Sequence, residues 1–411
     1  MGTWNLGLVI LDRRWYVAEC RRQLADTATY QQVPASDVPL LVPGLQQRLA
    51  ATVWRHALAL PGQVQRFLTA TAHTHTRLPS FYLLPKIHKL PQVTPQHLPL
   101  LRGRPIVAAH SWITTPTSQW LAQVLNAACA QAHPHVLPDS RALIVQLEST
   151  HVASGSILVT FDVESMYPSI DTSKAIPACV AAAPQRLRAV VRALLTLVMA
   201  GSYLTFQGRV FRQVQGGAMG TPCMPPVANI HMAHWVEAPV RARSAYWPRI
   251  FRRFIDDGFF VWERDAASLD AFLAALNTAL PGIRLTWHTS TDSIAFMDLV
   301  ISKGPSLNGA SVSLQVSTFQ KAHNKYLYVP RGSFHRPHMF TAFVRGELIR
   351  YAVTNTHSSG FDRMKALFRE RLLDRGYSDA SLDPIFASVS HTSRHEHLHT
   401  SRRQRGSQGA A

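Results

Sequence analysis

The chain has 411 residues, 46% of them hydrophobic, and carries 42 Lys and Arg against 24 Asp and Glu, a formal net charge of +18. So much apolar residue excludes a disordered chain and suffices for two or three packed units. The charge calls for an acidic partner, nucleic acid before membrane, and no apolar run reaches the roughly 18 to 20 residues that span a bilayer.

Residues 12–70 read mainly as helix, from apolar spacing at Trp15, Tyr16 and Ala18 and at Leu45, Leu49, Val53, Ala57 and Leu60. Residues 80–107 are Pro-punctuated and extended, with Phe81 to Leu84 and Leu101 to Val107 as two strands of a ribbon. Helix resumes over 117–130. Ile157 to Phe161 is a short apolar run ended by Asp162, the pattern of a buried strand. Residues 184–201 read as a helix, Tyr203 to Phe206 and Val210-Phe211 as a hairpin, and 225–236 as another helix. Ile250 to Ile255 and Phe259 to Trp262 are apolar strands around Asp256-Asp257-Gly258, a hairpin-turn signal. Next come a helix over 266–280, strands near 284–287, 294–301 and 311–318, and a helix over 351–375. Residues 388–411 read as a disordered tail. Strands far apart in sequence with helices between them imply an antiparallel sheet backed by helices, an α+β layout. The acid-bearing ends of two strands, Asp162 and Asp256-Asp257, can then meet on neighbouring strands.

The charge is unevenly placed. Val38 to Pro138 holds no Asp or Glu but eight Lys and Arg. A second acid-free run, Val300 to Gly346, holds Lys303, Lys321, Lys325, Arg331, Arg336 and Arg345. Between them lie Asp162, Glu164, Asp171, Asp256 and Asp257. Two basic flanks around an acidic centre suit a polyphosphate-gripping enzyme with a metal site, against the blander role of keeping a protein soluble. Cys20, Cys129, Cys179 and Cys223 show no C-x-x-C spacing, which argues against a zinc knuckle or disulfide scaffold and fits a reducing compartment. The first residues lack the basic start of a secretory signal and the Ser or Thr of a myristoylation motif.

Taken alone, Asp256-Asp257-Gly258 is an ordinary turn, and Asp162 is a strand-end residue capping the next turn. In order, with Gly216-Gly217-Ala218-Met219-Gly220-Thr221-Pro222 between them, they form a set. Nucleotidyl transfer needs two divalent ions roughly 3.5 to 4 Å apart, one at the 3′-hydroxyl and one at the leaving diphosphate. Carboxylate oxygens are hard ligands that suit Mg²⁺.

These motifs, FDVESMYPSI, QVQGGAMGTPCMPPVANI and RRFIDDGFFVW, resemble those of reverse transcriptases, and within them the Penelope-like group related to telomerase. FYLLPKIHKLP and LRGRPIVAAH look like the family's fingers motifs, and FMDLVI like its strand motif after the palm. FQKAHNKYLYVPRGSFHRPH and LLDRGYS look like its thumb-side region, and LVILDRRWYVAECRRQLADTATY like its N-terminal part. The resemblance is collinear over residues 5–380 or so. It implies a right-hand polymerase fold: an N-terminal helical part (1–75), fingers and a palm with an antiparallel sheet (76–300), a palm-end strand and helical thumb (301–385), and a disordered basic tail (386–411).

The resemblance also implies an activity, RNA-directed DNA polymerisation, in a retroelement protein linked to DNA integration and located in the nucleus, with the cytoplasm as a second location. Its partners would be an RNA template, a DNA primer and dNTPs, with no membrane. Asp162, Asp256 and Asp257 would be the catalytic carboxylates and the ligands of two Mg²⁺ ions, with Mn²⁺ as the alternative. Lys86 and Arg104 would reach the incoming triphosphate, and Tyr167 would exclude a ribose 2′-hydroxyl. Met219 and Gly220 would border the nucleotide, Gly220 letting the backbone approach it. Asn229 is a hydrogen-bonding candidate or a satisfied core amide.

Several positions depart from the family's pattern. Asn5-Leu6-Gly7 lacks its Lys, Met224 replaces its Ser, and Arg284 replaces a Lys suited to protonating diphosphate. Arg, with a pKa above roughly 12, is a poor proton donor, which leaves His288 as the substitute. A GIY…YIG pair is absent, so no endonuclease activity is expected of this chain. Family B DNA polymerases share a Tyr-Pro-Ser-Ile motif, and viral RNA-dependent RNA polymerases share an Asp-Asp hairpin, but neither matches the whole set. The alternative from another class is a catalytically idle, transposon-derived nucleic-acid-binding protein.

Overall fold

The computed structural model describes residues 9–87, 100–306, 309–321 and 324–399. The chain opens with α1 (Arg13–Leu24), β1 (Tyr30–Gln32), α2 (Val38–Arg55) and α3 (Gly62–Ala72), then the ribbon β2 (Ser80–Pro85) and β3 (Gly103–Ala108). Next come α4 (Thr115–Ala132), α5 (Ser140–Glu148), β4 (His151–Ala153), β5 (Ile157–Val163) and α6 (Met166–Ser169). They lead to α7 (Thr172–Ala182), α8 (Arg188–Ala200) and the hairpin β6 (Tyr203–Phe206) and β7 (Arg209–Gln213). Helix α9 (Met224–Met232) runs through a π-turn (Ala233–Glu237) into α10 (Ala238–Arg243), before the hairpin β8 (Phe251–Phe254) and β9 (Asp257–Trp262). Beyond it lie α11 (Ala266–Thr278), β10 (Leu285–Ser290), β11 (Ser293–Phe296), β12 (Leu299–Ser306) and β13 (Ser311–Thr318). The chain closes with α12 (Pro337–Val353), α13 (Ser358–Leu373), α14 (Asp379–Ala387) and α15 (Arg394–His399).

The architecture is α+β. Described strands form three sheets, ordered β1-β7-β6-β2-β3, β10-β5-β9-β8 and β11-β12-β13-β4. The second and third are antiparallel throughout. The inner strands β5 and β9 of the central sheet pack against a core on each face. Val159, Phe161, Phe260 and Trp262 pack into a core with α4, α7, α8, α9 and α11, while Leu158, Phe259 and Val261 pack against α5 and the third sheet. That double burial explains why β5 and β9 read as continuous apolar runs with no polar alternation. A third core, with Phe340, Tyr351, Phe361 and Phe368, holds the C-terminal helices together. All four cysteines are free and buried. Among described residues no helix is long and apolar enough to cross a membrane.

Local differences from the sequence expectations have identifiable causes. The run 294–301 is two strands, because Met297 takes a left-handed φ of 58° and turns the chain between β11 and β12. The helix expected over 351–375 breaks near Thr354 to His357, where Asn355 and Thr356 bond to β13 instead of continuing the helix. In the tail, His391–Ser393 form a 3-10 turn and Arg394–His399 a short helix. Arg394 forks onto Glu148 at 2.7 and 2.9 Å and also donates to the Ala352 and Val353 carbonyls. A composition rich in His, Ser and Arg hides that docking, since one ion pair across 246 residues leaves no local pattern. Residues 400–411 lie outside the described residues, as does Lys89.

Candidate active site

Strand parity decides where the acids point. Successive side chains leave opposite faces of a strand, so Asp162 is in step with Leu158, and Asp257 with Phe259. Both therefore leave the central sheet on the side of the third sheet. The antiparallel register sets Asp162 directly opposite Asp257. With Thr160, His288, Phe296 and Lys321 they line a cleft of about 230 Å³.

Like charges opposed across a strand pair are destabilising. Burial pushes the Asp257 carboxyl up to about 7, aided by the charges of Asp256 and Asp162 and a hydrogen bond with Asp162, while Lys321 opposes the shift. Burial also raises Asp256, against the pull of Arg104 and Arg253. The Lys321 ammonium is lowered by burial, with Asp257 and Asp298 opposing. A bound cation would relieve the repulsion in such a cluster. Among described residues no group of three or more His, Cys, Asp or Glu forms a ready-made metal cage. The donor set still fits a divalent ion of the Mg²⁺ type, which takes one or two carboxylates and completes its shell with water and phosphate oxygens.

The hairpin turn differs from the Asp-Asp-Gly expectation. Phe254 pairs with Asp257, so the two loop residues are Ile255 and Asp256. Ile255 takes φ 57°, which costs a β-branched residue on the order of 1–3 kcal/mol. Gly258 belongs to β9 instead, where a Cβ would overlap the Phe161 ring. Gly258→Ala is expected to displace that buried ring and cost about 1–3 kcal/mol, read as a lower urea midpoint. An unchanged midpoint would show that the ring has room to move.

Of the remaining expected residues, Tyr167 and Arg104 fall around Asp256. Ser165, at φ 50°, starts α6, which carries Tyr167. The Tyr167 hydroxyl is pushed up to about 12 by burial and by the charge of Asp256, with Arg104 opposing. Arg104 is exposed on β3, opposite Leu84 of β2. The Lys86 N–H donates to the Arg102 carbonyl at 2.9 Å, closing the ribbon's end. The Gly-rich loop buckles these parts together. Gly217 N–H donates to the Tyr167 carbonyl at 2.7 Å, and Val107 N–H to the Met219 carbonyl at 2.8 Å. Gly220, at φ 118°, has no room for a Cβ because the Val107 carbonyl oxygen lies against it. The close backbone approach at Gly220 is therefore to this chain's own β3.

Asp162, Asp256, Asp257, Tyr167 and Arg104 thus come together, and His288 shares the cleft. Asn229 is a bonded core amide, its Oδ1 accepting from Arg253 at 2.7 Å. Lys321 also lines the cleft, although the sequence placed it only in the thumb-side motif and the basic run. It sits 64 residues beyond Asp257, and its place in an acid-free run marked it as basic without marking it as near the carboxylates.

No protein-family model and no curated protein matches the chain. Solved structures do. The telomerase of Candida albicans, in complex with a TWJ fragment of telomeric RNA, aligns at 10% identity and a TM-score of 0.49, over 83% of this chain and 58% of that one. The RNA-dependent RNA polymerase of BmCPV at its elongation state aligns at 11% identity and 0.47, over 89% and 30%. Apo telomerase of Candida tropicalis, truncated from its C-terminal domain, aligns at 11% identity and 0.41, over 58% and 57%. The chain spans less than two thirds of the length of each of these structures. Its structural neighbours are telomerases and viral RNA-dependent RNA polymerases.

Proposed function

We propose that the chain is an RNA-directed DNA polymerase, a reverse transcriptase of the Penelope-like, telomerase-related kind acting in the nucleus. The observation that carries this reading is the direct opposition of Asp162 and Asp257 across β5 and β9, with Asp256 at the intervening turn. Two acids opposed across a strand pair destabilise a sheet, whereas nucleotidyl transfer uses such paired carboxylates.

In the reaction a primer 3′-hydroxyl attacks the α-phosphate of a dNTP in line, templated by RNA, and diphosphate leaves. Asp162, Asp256 and Asp257 are the residues that would hold two divalent ions, Mg²⁺ or Mn²⁺. When bound, such ions supply the positive charge that favours the deprotonated form of the nucleophile and offsets the leaving group's charge. Arg104 and Lys86 bring cationic side chains from the ribbon to the triphosphate. The Tyr167 ring, beside Asp256, fills the space a ribose 2′-hydroxyl would need. Because the Gly-rich loop ties Tyr167 to β3, the sugar-facing and phosphate-facing groups are placed as one unit. The acid-free flanks, 38–138 and 300–346, grip the template–primer hybrid from two sides.

Primer extension on an RNA template with separate dNTP and rNTP arms tests the reading. Tyr167→Ala is expected to narrow dNTP over rNTP discrimination by about 10²-fold or more, since a steric wall is replaced by empty space. Unchanged selectivity would remove Tyr167 from the sugar-discriminating role.

A further inference from the structure

Arg253 lies three residues before Asp256, yet its side chain is 0% exposed. Its Nε donates to Glu237 Oε1. Its Nη1 donates to Asn229 Oδ1 at 2.7 Å and to the Ile255 carbonyl at 2.8 Å, and its Nη2 to the Asn229 carbonyl at 2.8 Å. The second Glu237 oxygen lies 2.6 Å from His135 Nε2. The Arg253 backbone is tied as well, its N–H donating to the His135 carbonyl at 3.0 Å and its carbonyl accepting from Leu137 N–H at 2.7 Å.

The counter-ion reaches this place through a helix irregularity. Asn229 and Glu237 are eight residues apart, and eight residues of regular α-helix turn through about 800°, leaving the two about 80° apart around the axis. The π-turn Ala233–Glu237 intervenes. Its i→i+5 bonding widens the turn and brings Glu237 back toward the face that carries Asn229. Both then meet one guanidinium.

A buried ion pair is by itself a poor stabiliser, because desolvation offsets most of the attraction. The geometry points to another role. A guanidinium offers five donors in a fixed fork. A lysine in its place can pair with Glu237 but cannot also reach Asn229 and the Ile255 carbonyl. That carbonyl belongs to the left-handed residue that delivers Asp256. The Asp256 carbonyl in turn accepts the Val163 N–H at 2.9 Å, next to Asp162.

We propose that Arg253, braced by Glu237 and Asn229, is a positioning residue that locks Ile255 in its turn and so sets Asp256 and Asp257 against Asp162. Its effect on turnover rests on the polymerase reading; its effect on the rigidity of the hairpin does not.

Arg253→Lys keeps a charge beside Glu237 and removes the fork, while Asn229→Ala removes one acceptor and keeps both charges. Hydrogen–deuterium exchange of residues 250–262 is expected to speed up by about tenfold or more in Arg253→Lys and by less in Asn229→Ala, with α11 unaffected. In primer extension, Arg253→Lys is expected to lose about 10²-fold in kcat, with dNTP KM and template–primer affinity within about threefold of wild type. A folded Arg253→Lys with wild-type hairpin protection, or a rate loss carried by KM, overturns the proposal. If Arg253→Lys does not fold, Asn229→Ala decides by the same exchange readout, wild-type protection counting against. If the wild type extends no primer, the polymerase reading fails, and hairpin exchange still decides the role of Arg253.

Discussion

Asp162→Asn and Asp256→Ala are each expected to lower primer extension by about 10³-fold or more while leaving template–primer affinity near wild type. Affinity comes mainly from Lys and Arg on phosphates, and neither substitution removes one. The same substitutions move stability the other way. Asp162 stands directly across from Asp257, whose carboxyl is already pushed up to about 7 by burial and its acidic neighbours. Removing the Asp162 charge relieves that repulsion, so Asp162→Asn without divalent ions is expected to have a urea midpoint at or above wild type. Loss of activity with equal or greater stability is the mark of a site kept for function at the expense of the fold. A lower midpoint in Asp162→Asn would instead make its carboxylate a structural group.

Glu237→Ala is expected to be the most destabilising of these substitutions, by about 3–5 kcal/mol, because it leaves Arg253 charged and uncompensated in the interior. Burial alone would raise the Glu237 carboxyl, but Arg253 and His135 outweigh it and hold the group down to about 2, from an ordinary value of 4.5. A carboxyl whose folded pKa is depressed stabilises the fold fully above the unfolded value. That stabilisation is lost as pH falls from about 4.5 toward 2. Urea midpoints from pH 7 to pH 3 are therefore expected to fall more steeply for wild type than for Glu237→Gln, which has no such proton to take up. Parallel pH curves would show that Glu237 is not a linked group.

Much of the site was legible because its chemistry is local. The apolar run before Asp162 and the one after Asp257 announced buried strands, and the two acids ended up as cross-strand partners. The α+β layout came from the same spacing. The turn position did not, because Asp-Asp-Gly favours a glycine turn, whereas Gly258 is a strand residue lying against the Phe161 ring. Likewise, nothing local in Gly220 distinguishes an approach to a ligand from its approach to Val107. Lys321, Glu237 and Arg394 owe their places to contacts across long stretches of chain, and a motif says nothing about such distances. The helical docking of 391–399 was hidden for the same reason.

The most direct measurement is single-turnover extension of a labelled DNA primer on an RNA template with dNTPs and Mg²⁺, run on wild type and Asp256→Ala at matched, saturating template–primer. The expected result is templated cDNA from wild type and none above background from Asp256→Ala. Equal binding by both proteins with extension by neither, in Mg²⁺ and in Mn²⁺, would contradict a polymerase and leave a nucleic-acid-binding protein that keeps its carboxylates without using them.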